Sequence, residues 1–305
     1  MTLTELRYIV TLAQERHFGR AAERCFVSQP TLSIAVKKLE SELDVALFER
    51  SKSAVQLTPV GERVVAQAQK VLEEARAIEE LAHAGRDQLH SPLRLGAIYT
   101  IGPYLFPHLV PRIRDFAPAM PLYLEENFTE LLRAKLRHGE LDAIVIALPF
   151  SEPDVLVRPL YDEPFVLLLP ADHPWRDRPQ VAPAEIKQTR LLMLGEGHCF
   201  RDQVLESCPG INSSREGNAL VTEGSSLETI RLMVASGLGA SVVPLSATTH
   251  IPANGAVLVK PFAAPQPMRT LALAWRASFP RPQAIDVLID SLRHCAVSAP
   301  AEPAG

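Results

Sequence analysis

Apolar residues follow two rhythms along this chain, and the change between them divides it. From residue 3 to about 88 they return every three or four positions, the period of a helix with one buried face. Leu3, Leu6, Ile9, Val10 and Leu12 or Ala13 make the first such face, with Thr2 or Thr4 available as N-cap. A short second helix turns Ala21, Ala22 and Cys25 inward, and Phe26 and Val27 sit at a tight turn. Ser28 is then an N-cap, and Pro30 suits the first turn of a third helix, where its missing N–H costs little. That helix carries Leu32, Ala35, Val36 and Leu39 inward and Gln29, Thr31, Ser33, Lys37 and Lys38 outward. Arg50 and Lys52 fall on a loop before a short strand, Val55 to Leu57. Thr58 and Pro59 open a long helix on which Val60, Val64, Ala68, Val71, Ala75, Ile78 and Ala82 recur at steps of three and four. That is a heptad-like seam.

After Ser91 and Pro92 the apolar residues gather into short runs. LRLGAIYT, MPLYLEEN, LDAIVIAL, EPFVLLLPA, RLLMLGEG, ASVVPLSA and RTLALAWRA predict strands. PYLFPHLVPRIRDFA, TELLRAKLRHG, SLETIRLMVASG and RPQAIDVLIDSLRHCA predict helices between or after them. Such alternation predicts α/β layers with largely parallel pairing, and ligands in such folds sit at strand ends and helix N-termini. Thr100, Thr129 and Ser226 occupy those ends. The tail SAPAEPAG, residues 298–305, reads as disordered.

Composition adds little. The chain has 305 residues, 47% of them hydrophobic and 22% charged, enough for two or three domains. The N-terminus shows no basic segment followed by an apolar run, and no apolar run is long enough to cross a bilayer, so a cytoplasmic location is expected. Four cysteines do not make a disulfide scaffold. Residues 1–60 hold eight Lys plus Arg against seven Asp plus Glu, so charge alone does not mark a nucleic-acid binder.

The patterning carries that argument instead. Small residues on the second helix let the third cross it closely, and the third helix's outward row of amide, hydroxyl and ammonium groups suits base edges and phosphates. A helical hairpin with a solvated polar face would look the same, but the segment bearing Arg50 and Lys52 reads as a wing that tips the balance toward DNA. The long helix needs a partner, either a second copy or its own body. Cys199 and Cys208 lie in GEGHCFRDQVLESCPG. In a reducing compartment such residues are buried apolar groups, ligands or reactive thiols.

The run AAERCFVSQPTLSIAVKKLESELDVALFERSKSAVQLTPVG resembles the N-terminal signature of the LysR-type transcriptional regulators, and the resemblance covers the whole chain. AIYTIGPYLFPHLVP, GELDAIVIALP, YDEPFVLLLPADHPW and GEGHCFRDQVLESC resemble the peroxide-sensing members. The resemblance implies a winged helix-turn-helix over 1–58, a linker and dimerisation helix over 59–90, and a two-lobed, periplasmic-binding-protein-like α/β regulatory domain over 91–298. Lobe I would take about 91–162 and 269–298 and lobe II about 163–268, leaving 299–305 as a disordered tail. It also implies a non-enzymatic activator of antioxidant genes, without cofactor or metal, working as a dimer of dimers with promoter DNA and RNA polymerase. Ser28, Gln29, Pro30, Thr31, Ser33, Lys37, Lys38, Arg50 and Lys52 are the expected DNA contacts. Hydrogen peroxide would oxidise Cys199, and Cys208 would resolve the product into a disulfide.

The residues fit that chemistry. FRDQVLES has helical character and places Cys199 near a helix N-terminus, where partial positive charge favours a thiolate, and His198 and Arg201 can add positive potential or hydrogen bonds. Gly197 gives a flexible approach, and Asp202 is suited to relay a proton or anchor the loop. The resemblance puts Thr100 and Thr129 beside the thiol and Arg269 behind it, with Arg276 as a rival. If 199 to 208 is helical when reduced, its ends are about 13 Å apart, whereas a disulfide needs Cα atoms about 5.5 Å apart. Oxidation would then force a conformational change, and an intact DNA-reading surface implies a regrip of DNA rather than release. Competing readings are a LysR-type regulator of a small anionic metabolite with incidental cysteines, and a peroxidase, for which a winged helix-turn-helix has little use. A metal pair lacks partner spacing, and a cysteine protease lacks a placed base.

Overall fold

A computed structural model gives the fold and describes residues 1–50, 55–84, 88–208, 221–249 and 255–295. The chain forms two compact units, Met1–Arg86 and Asp87–Gly305. Lys52, the side chain of Arg50 and the 299–305 tail lie outside the described residues.

The first unit packs α1 (Leu3–Glu15), α2 (Phe18–Arg24), α3 (Gln29–Leu43) and the start of α4 (Pro59–Ala84) around one core. Thr2 and Glu5 close a capping box at α1, and the Ser28 hydroxyl caps α3 by accepting from the Thr31 N–H at 3.3 Å. Leu6, Ile9, Leu12, Ala21, Leu32, Val36, Leu39 and Leu47 are buried together. Leu3, expected inward, is 46% exposed at the first residue of α1. β1 (Phe48–Arg50) and β2 (Val55–Leu57) pair antiparallel as a small ribbon. A Cβ on Gly61 would lie 2.1 Å from the Leu47 carbonyl oxygen, so only glycine lets α4 approach this closely. The seam of α4 divides. Ala68 is buried and Val64 partly buried in the unit's own core, with Val65 buried beside the seam, while Val71 and Ile78 stay exposed.

In the second unit β3 (Leu93–Ile98), α5 (Gly102–Phe116), β4 (Leu122–Asn127), α6 (Thr129–Arg137) and β5 (Ala143–Ala147) build one α/β layer. β6 (Val155–Pro170) then crosses into a second layer with β7 (Leu191–Leu194), α7 (Cys199–Ser207), β8 (Val221–Gly224), α8 (Leu227–Ala235), β9 (Ser241–Pro244) and β10 (Val257–Pro261). β11 (Met268–Arg276) returns, and α9 (Pro282–Arg293) closes on the first layer. The sheet order is β10-β6-β11-β5-β3-β4, with β9 also on β6 and β7-β8 separate.

Pairing is mixed rather than largely parallel. β3 pairs β4 and β5 in parallel, and β7 pairs β8 in parallel. β6 and β11 run against each other and against β5, β9 and β10. The reason is the double crossing: a chain that leaves one layer and comes back must traverse the junction in opposite directions. Two apolar cores result. Leu93, Leu95, Ile144, Val145, Leu273 and Leu288 belong to the first, and Phe165, Leu167, Leu192, Phe200, Val234 and Val243 to the second.

Candidate functional site

β7 ends at Leu194 and is followed by Gly195-Glu196-Gly197, and Gly197 holds φ +92°, a conformation that favours glycine. A Cβ there would meet the Phe128 ring at 3.4 Å. His198 follows in extended backbone as N-cap of α7, without a side-chain cap bond, and Cys199 is the first helical residue. The chain therefore places Cys199 at the N-terminal, partially positive end of α7.

His198 is 8% exposed. Its ring centroid lies 4.8 Å from that of Phe128 and 6.1 Å from that of Tyr99. Burial pushes its pKa down, opposed in part by a backbone hydrogen bond with Ser225. The neutral imidazole is thus favoured, which supports hydrogen bonding over the added positive potential expected from the sequence.

The two thiols sit in different environments. Cys199 is half-buried against the first core. Cys208 is wholly buried in the second core, at the C-terminal end of α7, and burial pushes its thiol up to about 11. Both are free. With α7 formed, a rise of about 1.5 Å per residue keeps them too far apart to bond.

Behind the helix lies Arg269, with no exposed side-chain surface. It donates to Glu163 Oε2 at 2.8 Å, Thr100 Oγ1 at 2.8 Å and the Thr100 carbonyl at 2.9 Å, and its guanidinium lies 5.2 Å over the Phe200 ring. Arg276 donates instead to the Leu136 and Leu141 carbonyls, beneath the end of α6. Arg269 is the arginine that meets Thr100 and α7.

Thr129 opens α6 directly after Phe128, and its buried Oγ1 has no hydrogen-bond partner among the described residues. Asp202 is exposed in the first turn of α7 and stands apart from these contacts. Arg201 donates to the Leu194 carbonyl at 3.0 Å and pairs with Glu223, tying α7 to β7 and β8. Ser226 caps α8 by accepting from the Thr229 N–H.

Sequence reasoning missed several participants. Gln203 donates to the Leu148 carbonyl at 3.2 Å, while its buried Oε1 has no hydrogen-bond partner among the described residues. It lies four residues after Cys199, hence on the same helix face, a spacing the sequence displays. Phe200, Phe128 and Glu163 carry no such signal, since each reads as an ordinary core or surface residue.

In the first unit, Gln29, Pro30, Thr31 and Lys37 are exposed on α3, and Ser33 is partly covered. Lys38 is exposed but donates to Glu5 at 2.9 Å, a bond that holds the Glu5 carboxyl low and the ammonium high. Phe26, in the turn between α2 and α3, has φ +56° and is 97% exposed.

Residues 3–62 match the family model "Bacterial regulatory helix-turn-helix protein, lysR family", and residues 86–296 match "LysR substrate binding domain". The chain belongs to the LysR family. This LysR-family chain is 39% identical over 293 residues to the DNA-binding transcriptional dual regulator OxyR of Escherichia coli K12, spanning 96% of this chain and 95% of that one. A cysteine-to-aspartate variant of full-length OxyR from Pseudomonas aeruginosa is 65% identical, with a TM-score of 0.80 over 99% of each chain. A hydrogen peroxide-bound cysteine variant of OxyR from Corynebacterium glutamicum is 32% identical, with a TM-score of 0.63 over 96% of this chain and 92% of that one. Among the described residues, no helix of the LysR-family chain is long and apolar enough to cross a membrane.

Proposed function

We propose that this LysR-family regulator senses hydrogen peroxide through Cys199 and Cys208 and passes the signal to promoter DNA. The observation that carries the reading is a single nine-residue helix with a thiol at each end, one half-buried and one sealed in the opposite core. The names of its relatives support the same reading.

The Cys199 thiolate attacks one peroxide oxygen. The S–O bond forms as the O–O bond breaks, and hydroxide leaves to be protonated to water. Neutral His198 and the hydroxyls of Thr100 and Thr129 hold the peroxide, with the unpartnered Thr129 Oγ1 the donor in want of an acceptor. Arg269 fixes Thr100 from behind, and Gly197 lets the loop approach. Asp202, exposed in the reduced form, is assigned to the loop rather than to the peroxide. The Cys208 sulfur then attacks the sulfenic sulfur, the S–S bond forms, and water leaves. Since α7 separates the thiols, it opens first, and that opening is the switch.

Downstream, the regulator acts in the cytoplasm as a homotetramer, a dimer of dimers. It shifts its grip on double-stranded DNA to recruit RNA polymerase to antioxidant genes.

The test is to titrate the reduced protein with substoichiometric hydrogen peroxide, block remaining thiols and map disulfides by mass spectrometry. A Cys199–Cys208 bond is expected, absent in Cys199→Ser and reversed by a dithiol reductant. Thiols that stay alkylatable at those doses would overturn the reading in favour of a small anionic metabolite at the Thr100 and Thr129 helix ends.

A further inference from the structure

We infer that Ile34 reads the C5-methyl group of thymine in the major groove. The inference rests on the DNA-binding reading of α3 and extends it to a specificity.

Leu32, Val36 and Leu39 form the buried stripe of α3. At about 100° per residue, the direction opposite that stripe is occupied by Pro30, Ile34, Lys37 and Ser41. All four are exposed, and Ile34 keeps 67% of its surface in water. Gln29 and Ser33 fall to one flank of that pole and Thr31 and Lys38 to the other. The residue at the centre of the reading face is therefore a branched hydrocarbon. Among the described residues nothing in the first unit encloses it.

The surface is continuous with the helix-turn-helix that matches a DNA-binding family model over residues 3–62. The second helix of that motif presents its outward face to base edges. Those edges offer donors, acceptors and one apolar group, the thymine methyl. Isoleucine can neither donate nor accept, so the methyl is the group it can discriminate. Neighbouring chemistry agrees. Lys37 lies beside Ile34 on the pole to meet phosphate or an acceptor, while Lys38 is held by Glu5 at 2.9 Å and contributes less. The outward row deduced from the sequence omitted Ile34, because an isoleucine in a helix reads as core until the burial is known.

The experiment uses the full-length protein and a duplex enriched by it from a random pool. Each thymine in that duplex is replaced in turn by deoxyuridine, which deletes the methyl alone. Replacement at one or more positions is expected to weaken binding about fourfold, the effect of one methyl group returned to water. Ile34→Ser is expected to bind the thymine and deoxyuridine forms alike, and Ile34→Val to keep the difference. Ile34 is exposed, so both variants retain the fold, which circular dichroism checks. A wild-type protein indifferent to every deoxyuridine would overturn the inference. So would Ile34→Ser with the same penalty at the same position. In both of those cases DNA binding itself persists, whereas failure to enrich any duplex would overturn the DNA-binding reading and this inference with it.

Discussion

Arg269 is a cation with no exposed side-chain surface, so its stability depends on Glu163, which accepts from its guanidinium at 2.8 Å and from the Ser246 N–H at 2.9 Å. Removing one partner strands the other charge in the interior. Arg269→Met is expected to destabilise the regulatory unit by about 3–5 kcal/mol. At roughly 2–4 °C per kcal/mol for a unit of this size, thermal unfolding should fall by about 6–20 °C. Adding Glu163→Gln should recover much of that loss in the same measurement, and a double variant no better than the single one would count against a stranded charge. Arg269 was distinguishable from Arg276 only after folding. Both flank the same strand, RTLALAWR, but one end of it faces Thr100 and α7 and the other faces the last turn of α6. Cys199 and His198 were legible earlier, because thiol and imidazole chemistry depends little on distant neighbours.

At the scale of elements, α7 decides whether the thiols meet. Glu206 lies exposed within it. Glu206→Gly should weaken the helix by about 1 kcal/mol without touching either core. If opening precedes bridging, the Cys199 sulfenic acid should convert to the disulfide about threefold to fivefold faster. Its lifetime, read by sulfenic-acid trapping in rapid-quench experiments, measures this, and an unchanged lifetime would show that bridging does not wait for the helix. Most strands and helices of the body were readable from their apolar runs. β8, β10 and the first half of β6 were not. VTEG is short and ends in glycine, VLVKP lies at a sheet edge, and VLVRPLYD mixes charge and proline into a half-buried strand. Their pairing comes from the long-range register with β7, β6 and β11.

For the whole molecule, the seam of α4 is spent only in part on its own unit. Ala68 is covered and Val64 partly so, but Val71 is 38% and Ile78 68% exposed. An exposed apolar stripe on a long helix is stabilised by pairing with another copy, and paired half-sites strengthen DNA recognition. Val71→Glu together with Ile78→Glu should leave the helix-turn-helix folded and convert the protein to a smaller species in sedimentation velocity. An unchanged sedimentation coefficient would mean that assembly uses another surface.

Local chemistry along the chain was enough to establish the helix-turn-helix with its Ser28 cap, the long amphipathic helix, the α/β texture of the body and a cysteine at a helix start. These follow from periodicity, capping and thiol chemistry, which act over a few residues. Only the tertiary structure decided that β6 and β11 cross the body in opposite directions. It also decided that Cys208 lies in a different core from Cys199, that Arg269 closes on Thr100 and Glu163, and that Ile34 points outward. Each of these is a relation between residues far apart in sequence or a question of which face the rest of the chain covers, and neither is encoded in a local pattern.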